Sequence, residues 1–236
     1  MTDFPNCYED ANRAREYASL EFANACHLAY RDLPAIISDN VVGKRAMDFG
    51  CVTGWSTRLL QRLGFRVTGV DISEDMLQIA RQTDPSGDYR LVPADDLSEF
   101  AGETFDLVLS DFTFDNILET TKARAFRELG NLLAPNGTIV STVSSPGIYT
   151  HEWASFTTKD FPENARVRSG EVVRIIVTDH QDRRPVEDIL CTDESYRAVY
   201  KAAGLKAVQM IEPLAIGDEP YAWVSETAFL RGSSTC

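Results

Sequence analysis

Apolar positions along the chain follow two alternating periods, and the switches between them mark its elements. Over residues 9–38 apolar side chains recur near helical spacing, through Ala11, Ala14, Tyr17, Ala18, Phe22, Ala23, Cys26, Leu28, Ala29 and Leu33, with Glu9-Asp10 at the start. Pro34 is expected near a break in this helix, because a proline interrupts the helical hydrogen-bond ladder. From residue 46 onward short apolar runs alternate with amphipathic stretches. The runs predict strands at 46–50, 66–71, 89–92, 105–110 and 137–143, and the amphipathic stretches predict helices at 55–63, 74–82 and 118–133. Strands this apolar, each separated by a helix, fit a mostly parallel sheet covered on both faces.

The rhythm changes after residue 144. Residues 144–165 hold proline, glycine and many aromatics, and read as an insertion rather than a standard element. Two alternating runs, 170–178 and 184–192, predict an antiparallel hairpin around 179–182. A helix follows at 193–204, capped by Asp193 and ended by Gly204, and 205–214 with 223–230 read as a closing strand pair. With no internal repeat or low-complexity linker, residues 1–236 are expected to form one domain. Residues 1–43 would be a helical N-terminal cover, 44–143 the alternating α/β core, 144–192 an insertion with its hairpin, and 193–236 a C-terminal helix and strand pair.

The segment with the most chemistry is Asp48-Phe49-Gly50-Cys51-Val52-Thr53-Gly54, where a strand turns into a helix. Glycine lets a backbone pass close to a ligand and tolerates positive φ, and the following helix offers free N–H groups to an anionic group. A second strand ends at Asp71, about one βαβ step on, where an acidic residue can take the hydroxyls of a ribose. A nicotinamide fingerprint would need G-x-G-x-x-G, but Val52 and Trp55 stand at its second and third glycines. A phosphate-cradling P-loop would need Gly-Lys-Ser/Thr, which does not follow.

These residues resemble the first motif of the class I S-adenosylmethionine-dependent methyltransferases, D/E-x-G-x-G-x-G. The resemblance continues through Asp71, the acidic stretch Ala94-Asp95-Asp96-Leu97, the strand Phe105-Asp106-Leu107-Val108-Leu109-Ser110 and Leu133-Ala134-Pro135-Asn136-Gly137-Thr138, and covers residues 44–145. One departure stands out: Val52 occupies the place of the motif's middle glycine. A branched side chain there would cost about 1–3 kcal/mol if the backbone is strained, enough to weaken binding tenfold but not to forbid it. The fold implied is α/β: a Rossmann-like, doubly wound, mostly parallel sheet with an antiparallel closing strand, the N-terminal helical cover and the inserted antiparallel hairpin. The resemblance implies S-adenosyl-L-methionine as cofactor and S-adenosyl-L-homocysteine as product. It places Gly50, Cys51 and Gly54 around the cofactor, Asp71 on the ribose beside Ile72, and Asp95 on the adenine amino group. Asp96 and Leu97 would frame the ring, Ser110 would close the fourth strand end, and Asp48 would act near the methionine end. Asp71 could instead cap the next helix through Ser73, and Asp95 or Asp96 could cap the turn that follows; Asp106 reads as structural.

Composition narrows the substrate. The net charge of −13 disfavours nucleic acid, and the basic residues Arg166, Arg168, Arg174, Arg183 and Arg184 are interrupted by acids. No apolar run is long enough to span a membrane, no signal segment opens the chain, and the five cysteines are scattered. These features predict a cytoplasmic monomer or homodimer that acts on a small molecule. Phe112, Phe114, Tyr149, Trp153, Phe156 and Phe161 could build a flat-sided pocket, although Phe114, Phe156 and Phe161 also suit ordinary packing. Phe112, Asp115, Tyr149 and Trp153 are the candidate substrate contacts, and His151 and Asp111 the candidate catalytic bases. His27, His151 and His180 lack metal-ligand spacing. The expected reaction is a metal-free methyl transfer to N or O of an aromatic or heteroaromatic metabolite. The alternatives are a cofactor-binding protein without transfer, and another reaction on the same fold.

Overall fold

The computed structural model describes residues 27–94, 96–153, 156–178, 181–212 and 227–234. In chain order the strands are β1 Arg45–Phe49, β2 Arg66–Asp71, β3 Asp88–Leu91, β4 Phe105–Asp111 and β5 Leu133–Ser144. They continue with β6 Phe156–Thr157, β7 Val172–Val177, β8 Val186–Ile189, β9 Leu205–Ile211 and β10 Thr227–Ser234. The helices are α1 His27–Asn40, α2 Trp55–Arg62, α3 Glu74–Thr83, α4 Glu119–Asn131 and α5 Asp193–Ala202. Seven strands form one sheet in the order β3-β2-β1-β4-β5-β10-β9. The first five run parallel, and β10 pairs antiparallel with both β5 and β9. A second, antiparallel sheet has the order β6-β7-β8.

Strict alternation along the central strands sorts side chains between two cores. Ala46, Leu107, Leu109 and Val140 face one side, where α1 and α2 lay Ala29, Leu33, Ile37 and Leu60 against them. Met47, Val108, Ile139 and Val143 face the other, under Phe126 and Leu129 of α4 and Tyr196, Val199 and Tyr200 of α5. Because both faces are buried, the parallel strands are largely apolar, with Asp71 and Asp111 standing at the C-terminal ends of β2 and β4. Asp48 and Asp111 share the α1/α2 face with Leu109, whereas Ser110 points to the opposite one.

Several sequence expectations are corrected. Pro34 does not break α1; the helix runs through it to Asn40, because Ala29, Leu33 and Ile37 bury one continuous stripe on both sides of the proline. Thr192, not Asp193, caps α5: its hydroxyl accepts from the Ser195 N–H at 3.3 Å and Asp193 is the first helical residue. Gly204 follows with φ +78°, the left-handed residue that ends a helix. The closing strands are Leu205–Ile211 and Thr227–Ser234, the second running four residues past its expected end, and residues 213–226 lie outside those described. The insertion contributes one strand, β6, which pairs with β7.

Candidate active site

The sheet reverses its order between β1 and β4, and at that point the connections leave for opposite faces and open a crevice beyond the strand ends. The cleft is walled by Phe49, Val70, Ile72, Met76, Val92, Ala94, Phe112 and Ile117, with Asp71, Asp111, Thr113 and Asn116 as its polar groups. A narrower extension, lined by Tyr30, Gly50, Cys51, Val52, Thr53, Trp55, Ser56 and Asp111, runs under α1 towards the start of α2.

The glycine turn is held by its backbone. Gly50 and Cys51 donate their N–H groups to Val70 O at 2.8 and 3.0 Å, and Gly54 donates to Cys51 O at 2.7 Å. Gly50 has φ +78°, and a Cβ there would meet Thr113 Oγ1 at 2.1 Å, so glycine is required on steric grounds. Val52 adopts φ 50°, the left-handed region a branched residue enters only at a cost. Its N–H donates to Asp71 Oδ2 at 2.8 Å, while Asp71 Oδ1 accepts from the Ser73 N–H at 2.9 Å. Asp71 therefore ties the turn to the start of α3 and still presents lone pairs to the cleft. Burial raises its pKa, against the N–H groups of Ser73 and Val52 that favour the charge. Ser73 caps α3 through its hydroxyl, which accepts from the Met76 N–H.

Asp48 lies wholly buried one strand pair away. Ser56 and Thr57 hydroxyls donate to its Oδ2 at 2.7 and 2.6 Å, and its Oδ1 has no hydrogen-bond partner. Burial lifts its pKa to about 6, opposed by the Thr57 and Ser56 hydroxyls. Asp111, half-buried at the end of β4, accepts from the Tyr30 hydroxyl of α1 through Oδ2 and is also bonded by the Thr142 hydroxyl of β5. Burial pushes it up to about 7, and the Tyr30 hydroxyl opposes the shift. Tyr30 also meets Trp55 at the head of α2, with ring centroids 4.1 Å apart.

The turn and cleft bring together Gly50, Cys51, Asp71, Ile72, Asp111 and Phe112, with Asp48 buried behind them; Gly54 sits at the N-cap of α2. Asp95 lies outside the described residues. The Asp96 side chain is exposed and caps the following turn by accepting from the Ser98 N–H at 3.1 Å, and Leu97 is buried in the α4/α5 core. Ser110 is fully buried on that same face, away from Asp111. Asp106 accepts from the N–H groups of Lys44 and Arg45, both at 2.9 Å, the structural part expected of it.

The aromatic pocket does not assemble as expected. Phe114 stacks on Phe126 at 3.8 Å in the core. Tyr149, Trp153 and Phe156 join Val173, Ile175 and Leu190 in a separate core under the second sheet. A segment rich in aromatics here satisfies itself, and of the proposed set only Phe112 lines the cleft. Tyr149 donates to Asp188 Oδ2 at 3.0 Å, and Trp153 Nε1 donates to Ile148 O at 2.6 Å. Asp115 is buried and accepts from the Ser144 N–H at 3.0 Å, so its carboxylate serves the fold rather than the cleft. His151 sits on the exposed surface of the insertion, its Nδ1 2.8 Å from Gly147 O. Sequence reasoning missed Tyr30 and Met76 as lining residues. Their only signal is position just beyond a strand end or on the covering helix.

A sheet of this order with an acidic strand end beside a glycine turn defines a Rossmann-like nucleotide-cofactor enzyme. A family profile described as a methyltransferase domain matches residues 47–141. The chain is 31% identical over 178 residues to a ubiquinone biosynthesis O-methyltransferase of Ruegeria pomeroyi, covering 61% of this chain and 70% of that protein. It superposes on the CcbJ methyltransferase of Streptomyces caelestis with a TM-score of 0.68 at 15% identity, over 94% of this chain and 96% of the other. With an S-adenosylmethionine-dependent methyltransferase of Clostridium acetobutylicum the TM-score is 0.62 at 14% identity, over 97% and 99%. The chain belongs to the class I S-adenosylmethionine-dependent methyltransferases. The residues fit that cofactor: the cleft is largely apolar, offers an acceptor carboxylate at Asp71, and has the bare backbone of Gly50 in its wall. Among the described residues no helix is long and apolar enough to cross a membrane.

Proposed function

We propose that this methyltransferase acts on N or O of a small aromatic or heteroaromatic molecule, without a metal ion. The observation that carries the reading is Asp111, whose carboxyl stands at the junction of the cleft and its extension. The cofactor supplies an electrophilic methyl on a sulfonium, so the protein's part is alignment, exclusion of water and proton handling. Asp71 accepts from the ribose hydroxyls, Gly50 gives the backbone room to approach, and Val70, Met76 and Val92 flank the adenine. Backbone groups near Asp96 frame the ring edge. Asp111 receives the proton the acceptor must lose, and a pKa near 7 suits a group that takes and releases a proton near neutrality. Phe112 supplies a flat wall for an aromatic acceptor. His151 has no part in this mechanism, since its ring lies against Gly147 on the outer surface. The acidic balance of −13 supports a small molecule over a nucleic acid.

Two measurements test the reading. Calorimetry should show S-adenosylhomocysteine binding to the wild type and at least a hundredfold weaker binding to Asp71→Ala. Unchanged affinity would remove Asp71 from the cofactor site. Labelled methyl from S-adenosylmethionine should pass to members of a panel of small aromatic amines and phenols, with and without a chelator. Labelling confined to RNA or protein in the same assay would overturn the small-molecule assignment.

A further inference from the structure

Three ionisable side chains are buried together where the insertion meets the core: Asp115 on the turn Thr113–Asn116 after β4, Lys122 on α4 and Asp188 on β8. Lys122 and Asp188 each lie in the field of the other two. They come from opposite sides of a joint. Asp115 and Lys122 belong to the core, whereas Asp188 belongs to the antiparallel sheet, which shares no strand pairing with the seven-stranded one. Asp115 accepts from the Ser144 N–H at 3.0 Å, where the insertion begins, and is bonded by the Tyr196 hydroxyl of α5. Asp188 accepts from the Tyr149 hydroxyl at 3.0 Å, and the Lys122 ammonium lies 4.9 Å from the centre of the Tyr196 ring.

Two carboxylates and one ammonium leave a net buried charge of one negative unit when all three are ionised. A single extra proton brings the cluster to zero, and an uncompensated buried charge is costly. We propose that Asp115, Lys122 and Asp188 form a one-proton latch, which seats the insertion on the core while the two carboxyls share a proton and loosens it when that proton leaves. Asp115 has two donors and Lys122 to hold its charge, so the proton resides on Asp188, which burial and the Asp115 charge push up to about 8. The remaining groups around the cluster do not supply the step. Burial lifts the phenols of Tyr149, Tyr196 and Tyr200 well above their ordinary value and Cys191 to about 11, so they stay neutral through this window. Glu119 and Asp193, at the first turns of α4 and α5, are half-buried acids outside the enclosed set. The insertion yields rather than the core, because its own apolar cluster keeps it folded while the joint opens. The turn that carries Asp115 also presents Thr113 and Asn116 to the cleft, so the latch stands directly behind the cleft wall.

Amide hydrogen exchange, corrected for the intrinsic effect of pH on exchange, tests the latch at pH 7 and pH 9. In the wild type, protection over β7, β8 and residues 146–150 should fall at least tenfold between the two, while β1 and β4 change less than twofold. Asp188→Asn keeps the acceptor for Tyr149 but has no proton to lose, so its protection should be the same at both pH values. Asp115→Asn leaves Asp188 as the sole counter-ion of Lys122, neutral as a pair, and should abolish the step as well. No selective loss in the wild type, or loss spread equally over both sheets, would overturn the proposal without recourse to any variant. So would a step that persists in Asp188→Asn. A step unchanged in Asp115→Asn would overturn it too, since Asp188 would then titrate alone.

Discussion

Val52 concentrates the tension between local geometry and ligand. Its φ of 50° is a conformation in which an L residue costs about 1–2 kcal/mol, yet this backbone aims its N–H at Asp71. A hydrogen bond to a carboxylate contributes about 1.5–3 kcal/mol and holds the strained turn in place. Val52→Gly keeps the N–H and removes the strain, while adding some freedom to the unfolded chain. The net expectation is a gain of about 1 kcal/mol, seen as a rise of about 2–4 °C in the melting temperature without ligand. Affinity for S-adenosylhomocysteine should stay within a few fold. A fall in melting temperature would mean that packing of the Val52 side chain on the cleft wall outweighs the strain. The departure from the glycine motif is plain in the sequence. That the same residue supplies a donor to the Asp71 carboxylate is not, because that contact joins residues 19 positions apart across two strand ends. One consequence is that Asp71 builds the turn besides its proposed part in binding, so Asp71→Ala should lower the melting temperature as well as cofactor affinity.

At the scale of elements, the insertion is held together by buried polar contacts among its own residues and tied to the core at the end of β5. Tyr149 donates to Asp188 of β8, Asn164 Nδ2 donates to Tyr149 O and Arg174 O, and Asp115 takes the Ser144 N–H where β5 ends. Lys122 of α4 lies fully buried nearby with its ammonium over the Tyr196 ring, 4.9 Å from the centroid. Tyr149→Phe leaves Asp188 Oδ2 without that donor in a buried setting, a loss of about 1–3 kcal/mol. Hydrogen exchange should quicken over β7 and β8 while β1 and β4 keep their protection; uniform loosening of both sheets would show that the two are one cooperative unit. The same contrast explains what the sequence made legible. β1 to β5 and α2 to α4 follow clean periods because each buries against a regular neighbour. The insertion is opaque because β6 has two residues, and its aromatics pack on one another rather than on the ligand. The site half-appears for the same reason: Gly50 and Asp71 sit at fixed offsets from strand ends, whereas Tyr30 reaches Asp111 across 81 residues of chain.

Taken as a whole, the molecule buries more negative charge than it neutralises, and this fixes how its stability responds to pH. Burial holds Asp48 at about 6, Asp111 at about 7 and Asp188 at about 8, and raises Asp71 and Asp115 as well. In the unfolded chain these carboxyls titrate near 4. Between about pH 4 and 8 the folded protein therefore holds protons that the unfolded chain has released, so stability falls as pH rises through that window. Lys122 works against this trend only towards alkaline pH, since burial lowers its pKa from an ordinary value of 10.5. Asp84 and Asp88 have lowered values through Gln61 and Arg90, and give the opposite slope in acid, where their protonation removes stability. The ligand-free melting temperature should therefore peak on the acid side of neutrality and decline from about pH 5 to 8. The loss is about 1–3 kcal/mol in all, once relaxation around the buried groups is allowed for. Asp111→Asn has no charge to bury, so its profile should be flatter than wild type between pH 6 and 8, and more stable at the upper end. A wild-type melting temperature that rises from pH 5 to 8 would show that the carboxylates find cationic or hydrogen-bonding partners in solution. A molecule that carries this cost at neutral pH without ligand is one in which a cationic ligand has stability to restore. The decline should accordingly shrink when a ligand bearing an ammonium is bound.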